Sequence, residues 1–153
     1  MKLSIIIPVF NEEKTILQVL KRINDLKIKD IQKEIIVVND GSTDSTESKI
    51  KSFKFFKNIK FINHSKNLGK GKAVRSGIKK ATGDYIIIQD ADLEYNPNDI
   101  KKLLIPIISK KAKVVYGTRL RRMPNLKAEE KTLQFLIHYF GNRFLSFVTS
   151  VLY

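Results

Sequence analysis

The sequence predicts an α/β fold built on a mostly parallel sheet, and three observations carry that prediction. Short runs rich in isoleucine and valine alternate with segments of helical periodicity. Several of those runs end in polar clusters at the same edge of the implied sheet. The chain has 153 residues, 42% of them apolar and none of them cysteine, so its core must come from burial and not from disulfides.

Each element follows from its residues. Residues 3–9 form a short apolar run, with Pro8 near a strand end. Asn11 reads as an N-cap, with Glu12 and Glu13 in the first turn of a helix that buries Ile16, Leu17, Leu20 and Ile23. A second strand over 34–39 ends at Asp40-Gly41-Ser42-Thr43-Asp44, which caps a helix running to about Phe53. A third strand covers 60–63. After the glycine-rich Asn67-Leu68-Gly69-Lys70-Gly71-Lys72, a helix runs through Ala73, Val74, Gly77, Ile78 and Ala81, with Gly83 as its C′ residue.

A fourth strand covers 85–89 and leads directly into Asp90-Ala91-Asp92-Leu93-Glu94. Asn96-Pro97 then supplies an N-cap and an N1 proline for a helix carrying Ile100, Leu103, Leu104 and Ile107, which Pro106 should kink or end. Residues 114–118 are expected to form the next strand. The organisation expected is a nucleotide-binding domain over 1–128, followed by an amphipathic, phenylalanine-rich helix over 129–153.

With 29 Lys+Arg against 15 Asp+Glu, the chain carries a net charge of +14. Three anionic partners fit that balance: nucleic acid, a membrane surface and a phosphorylated substrate. Nucleic acid is disfavoured, because the aromatic residues fall in apolar patterns and no recognised nucleic-acid motif is present. No secretory leader and no run of 18 apolar residues are found. A cytoplasmic location is therefore expected, with peripheral contact at the inner membrane face.

Without cysteine, and with only His64 and His138, any metal must rest mainly on oxygen ligands, which points to Mg2+ or Mn2+. Asp90 and Asp92, two carboxylates just past an apolar strand, can both reach one such ion, with Glu94 a candidate third ligand. The Asp-x-Asp spacing alone also suits an ordinary turn; its place after a strand favours the ligand role. Asp40, at another strand end, suits either a helix cap or a nucleobase or ribose contact. Gly69-Lys70-Gly71-Lys72 departs from a P-loop, since Ala73 follows the lysine; it reads as a helix start with lysine near phosphate. His64, in a polar loop, and His138, in the aromatic helix, are read as incidental.

Five motifs occur in one order: Ile6-Ile7-Pro8-Val9-Phe10-Asn11-Glu12, Val37-Val38-Asn39-Asp40-Gly41-Ser42-Thr43-Asp44, Asn67-Leu68-Gly69-Lys70-Gly71, Ala81-Thr82-Gly83-Asp84 and Gln89-Asp90-Ala91-Asp92. Together they resemble glycosyltransferase family 2. Within it, Asp90-Ala91-Asp92-Leu93-Glu94-Tyr95-Asn96-Pro97 and Tyr116-Gly117-Thr118-Arg119 look most like the dolichyl- or polyprenyl-phosphate sugar transferases.

The resemblance implies the GT-A fold, a Rossmann-like three-layer sandwich, and inverting transfer of a sugar from a GDP- or UDP-linked donor to a polyprenyl phosphate. A saccharide hydroxyl of a cell-surface polysaccharide is the alternative acceptor, and a non-catalytic remnant that binds nucleotide or membrane is a further reading. It implies that Pro8, Phe10, Glu12, Val38 and Asp40 line the nucleoside pocket. Gln89, Asp90, Ala91 and Asp92 would bind metal and diphosphate, with Glu94 assisting. Arg119 would contact phosphate and act with Asp92 in catalysis. Arg121, Arg122 and Lys127 would attract the acceptor phosphate. Family members continue past the position of Tyr153, so the resemblance also implies a C-terminally truncated chain.

Overall fold

Among the described residues four strands form one sheet: β1 (Lys2–Val9), β2 (Gln32–Asn39), β3 (Ile59–Asn63) and β4 (Tyr85–Ile88). Their order is β3-β2-β1-β4, and every neighbouring pair is parallel. The computed structural model describes residues 1–117, of which Met1–Val115 make one compact unit. The helices are α1 (Ile16–Asp25), α2 (Thr46–Ser52), α3 (Lys70–Lys80) and α4 (Asp99–Ile108).

β1 is buried on both faces, and its side chains divide between two cores. Leu3, Ile5, Ile7 and Val9 pack with Ile35 and Val37 of β2, with Ile16, Leu20 and Ile23 of α1, and with Ile50, Ile100 and Leu104 of α2 and α4. Ile6 points the other way and packs with Ile36, Val38 and Ala73, so α3 covers the opposite face. Period-two alternation thus makes three layers from one isoleucine run. The order of helices follows from crossover handedness. β1, β2 and β3 step in one direction across the sheet with α1 and α2 on one face. The return from β3 to β4, on the far side of β1, must use the other face if the connection keeps the same hand.

Several sequence expectations are corrected. Asn11 does not cap α1: it adopts φ 54°, and its side-chain oxygen accepts the Thr43 N–H at 2.8 Å, tying two loops together. The helix begins at Ile16, after a turn in which the Glu12 carbonyl accepts both the Thr15 and Ile16 N–H groups. Its buried face uses Val19, while Leu17 is 38% exposed. Asn96 and Pro97 lie in a turn before α4, whose N-cap is Asn98; the Asn96 side chain accepts the Asn98 N–H instead. Pro106 lies inside α4, which ends two residues later at Ile108. Residues 114–117 form no strand. Val114 is 67% exposed, so this segment lacks the doubly buried setting that a parallel strand requires. Thr118 lies outside the described residues, as does the whole of 129–153.

Gly83 is not the C′ residue of α3, which closes at an extended Ala81. Its role is close approach. A Cβ at Gly83 would stand 2.7 Å from both the backbone nitrogen and the hydroxyl of Ser4. That hydroxyl accepts the Gly83 N–H at 2.9 Å and donates to buried Glu34 at 2.6 Å. Glu34 also accepts from the Thr82 N–H and hydroxyl and pairs with Lys60 and Lys2. This network anchors the N-terminal end of the sheet and leaves the opposite end for a site.

Candidate functional site

Past the C-terminal ends of β1, β2 and β4 opens a pocket of about 240 Å³, lined by Pro8, Phe10, Glu12, Asp40, Asp90, Ala91 and Asp92, with Asn67, Gly69, Lys70 and Ala73 from the start of α3. Topology places it there. β1 is where the strand order reverses, and ligands of open α/β sheets bind in the crevice at such a reversal. Pairing of β4 with β1 stops at Ile6 and Ile88, with the Gln89 N–H still bonded to the Ile6 carbonyl. Beyond that point β1 continues to Val9 beside β2 alone. Pro8, which lacks an N–H, therefore stands where β4 makes no demand on it.

The β2 end is heavily organised. Asp40 is 3% exposed. Its carboxylate accepts the Leu68 N–H at 3.1 and 3.2 Å and a bond from His64 Nδ1 at 2.6 Å. Gly41 follows with φ 69°, and a Cβ there would come within 2.3 Å of the Lys66 carbonyl carbon, so only glycine lets the two loops meet. Glu12 is fixed from two sides: its N–H donates to the Thr46 hydroxyl at 2.8 Å, and its carboxylate accepts the Thr15 hydroxyl at 2.6 Å.

The β4 end carries the carboxylate pair. Asp90 is held by Lys70, whose Nζ lies 2.8 Å from each carboxylate oxygen. Asp92 is exposed, and one of its oxygens accepts the Glu94 N–H at 3.0 Å. The intervening Leu93 adopts φ 67°, an unfavourable conformation for a branched side chain, so the tight turn after the strand is held under strain. The turn reading of Asp92 is thus met by one of its oxygens, and the residue still lines the pocket.

The sequence-predicted site residues divide. Pro8, Phe10, Glu12, Asp40, Asp90, Ala91 and Asp92 meet in the pocket. Val38 does not; it shares a strand face with Asp40 but lies two residues deeper in β2, where it is fully buried with Ile6, Ile36 and Ala73. Gln89 is also buried and donates to the Asp90 carbonyl, supporting the loop from behind. Glu94 is off the pocket wall, and among the described residues no three carboxylate or imidazole groups converge on one cation position. Arg119, Arg121, Arg122 and Lys127 lie outside the described residues, as does His138. Sequence reasoning passed over His64, whose link to Asp40 spans 24 residues and leaves no local motif.

The family model for glycosyl transferase family 2 matches residues 4–152. The chain belongs to glycosyltransferase family 2. Among its relatives within that family, the dolichol-phosphate mannosyltransferase of Pyrococcus furiosus is 36% identical over 119 residues, covering 78% of this chain and 33% of that protein. The prophage bactoprenol glucosyl transferase homolog of Escherichia coli K12 is 34% identical over 136 residues, covering 88% of this chain and 44% of that one. A solved structure of a mannosyltransferase from Pyrobaculum calidifontis, in complex with GDP-Man and Mn2+, matches with a TM-score of 0.56 and 26% identity over 68% of this chain and 32% of its own. The family 2 chain thus spans half or less of the length of these relatives. Among its described residues no helix is long and apolar enough to cross a membrane.

Proposed function

We propose that this family 2 chain binds a UDP- or GDP-linked sugar together with Mg2+ or Mn2+, and serves inverting transfer of the sugar to a polyprenyl phosphate. The observation that carries the reading is the convergence of Asp40 and Glu12 with Asp90, Asp92 and Lys70 in one pocket at the point where the strand order reverses. Asp40 and Glu12 suit the hydrogen-bond donors of a nucleoside. Asp90 and Asp92 suit a hard cation, and Asp90 already grips a positive charge with both oxygens. Two carboxylates leave coordination positions for diphosphate oxygens, so the residues fit a cation that arrives with its nucleotide rather than one held in an all-protein cage.

When bound, the cation supplies Lewis-acid stabilisation of the charge on the departing nucleoside diphosphate. The chain's own residues hold the donor on one side of the sugar. An oxygen of the acceptor phosphate attacks the anomeric carbon from the other side, and the bond to the diphosphate breaks with its electron pair leaving on the diphosphate. The acceptor is already anionic at neutral pH, so no general base has to remove a proton. Relatives named for dolichol-phosphate and bactoprenol transfer support this acceptor class. In the same reading Arg119 contacts phosphate, Arg121, Arg122 and Lys127 attract the acceptor, and the net charge of +14 favours an anionic membrane surface.

Calorimetric titration with UDP and GDP, with and without Mn2+, tests the reading. Binding should depend on Mn2+ and weaken by about tenfold or more on Asp92→Ala. Failure to bind either nucleotide, or binding indifferent to Asp92→Ala, overturns it. Release of nucleoside diphosphate on adding a polyprenyl phosphate tests the acceptor.

A further inference from the structure

We infer that His64, backed by Ser76, is a positioning residue that fixes Asp40 as the acceptor for the nucleoside. The inference rests on the nucleotide reading of the pocket and adds residues which that reading does not contain. His64 directly follows β3, and its N–H still bonds the Asn39 carbonyl at 2.9 Å, so its backbone is an extension of the sheet. Its side chain is 11% exposed and bridges two elements. Nδ1 lies 2.6 Å from Asp40 Oδ1, and Nε2 lies 2.9 Å from the Ser76 hydroxyl on α3.

The partners fix the direction of the chain. An ionised carboxylate can only accept, so Nδ1 carries the proton toward Asp40. In the neutral imidazole Nε2 then accepts, and the Ser76 hydroxyl donates to it. The Leu68 N–H supplies the second bond to the same carboxylate. The donors from His64 and Leu68 hold the Asp40 carboxylate in one orientation, and Asp40 is a residue of the pocket lining. Such an acceptor suits a nucleoside N–H or hydroxyl. Without His64 the carboxylate is free to rotate about its side-chain torsions, and a ligand must then order it on binding.

The contribution is local to the nucleoside end, which makes it separable from a general loss of structure. In calorimetric titration with Mn2+ present, the unsubstituted chain is compared with His64→Ala, His64→Asn and Ser76→Ala, using UDP and inorganic pyrophosphate as probes. Pyrophosphate reports on the Asp90 and Asp92 end alone. His64→Ala should weaken UDP about tenfold and leave pyrophosphate unchanged. The asparagine amide places an N–H where Nδ1 stands, so His64→Asn should return UDP to within about threefold of the unsubstituted chain. Ser76→Ala, which does not touch Asp40, should cost about threefold on UDP alone. Thermal melts confirm that each variant is folded, and Ser76→Ala carries the test if His64→Ala is not.

Equal losses on UDP and pyrophosphate, no rescue by asparagine, or no change on UDP in any variant would overturn the positioning role. If the unsubstituted chain binds no nucleotide at all, the nucleotide reading fails first and this inference falls with it.

Discussion

The ammonium nitrogen of Lys70 stands 2.8 Å from both carboxylate oxygens of Asp90, so the start of α3 and the exit of β4 are joined by an ion pair inside the pocket. The pair is partly solvated, and Lys70 is the more exposed partner. A divalent cation at Asp90 has to compete with that ammonium. Replacing Lys70 by methionine should therefore tighten nucleotide-free Mn2+ binding by roughly two- to fivefold, read by electron paramagnetic resonance titration. Unchanged or weaker Mn2+ binding would show that the lysine does not guard this position.

Gly41 joins a left-handed backbone to a backbone contact that no side chain can yield to. Gly41→Ala should destabilise the fold by at least about 2 kcal/mol in urea unfolding, from the φ conformation and the displaced Lys66–Asn67 backbone together. Because Asp40 precedes it directly, the same variant should also lose nucleotide affinity. A variant of ordinary stability would mean that the two loops can separate at little cost.

Acid should act at the opposite end of the sheet. Burial on its own raises the carboxyl pKa of Glu34, but bonds from Lys60, Ser4 and Thr82 outweigh it and hold the group well below the ordinary carboxylate range. The folded state then binds fewer protons than the unfolded state near that range. The stabilisation is complete above the unfolded value of about 4.3 and drains away as pH falls below it. Glu34→Gln should cost about 2 kcal/mol at pH 7, and the difference from the unsubstituted chain should narrow between about pH 5 and pH 3. Denaturant melts across that interval would contradict the account if the two curves stayed parallel.

Val38 offers the converse test. Its side chain is fully buried between β2 and α3 and is not part of the pocket lining. Val38→Ala should lower stability by on the order of 2 kcal/mol through lost burial and the cavity left behind. It should leave the dissociation constant for UDP unchanged. A selective loss of UDP affinity would return Val38 to the nucleoside wall.

Strand existence was legible because isoleucine runs of this length have few alternatives once helices flank them. All four strands of the sheet were predicted, each within two residues at either end. Helix starts were misplaced where a loop residue had a tertiary partner. Asn11 has the composition of an N-cap, but its side chain is taken by Thr43, 32 residues away. Gly83 likewise looked like a helix end, and only packing on Ser4 reveals why no larger residue fits.

Pro8, Glu12, Asp40, Asp90 and Asp92 meet in one pocket because they stand at strand exits, a position that periodicity and topology both make legible in the sequence. Val38 belongs to the same motif and the same strand face as Asp40, but a motif does not record depth, and two residues further into β2 its side chain is enclosed by Ile6, Ile36 and Ala73. His64 escaped for the complementary reason: neither a loop histidine nor a helical serine is informative until the fold brings both to Asp40.

β2 carries Glu34 near one end and Asp40 just past the other, roughly 20 Å apart along an extended chain. The network that locks the sheet and the carboxylate that lines the pocket are thus borne by one strand, yet among the described residues their hydrogen-bond partners are separate. A library confined to the exit residues, such as Phe10, Asn67 and Lys70, can therefore explore new ligands without retesting foldability at every step, since distant substitutions combine almost additively. In such a chain, retuning which ligand is held and keeping the scaffold intact become two largely independent engineering problems.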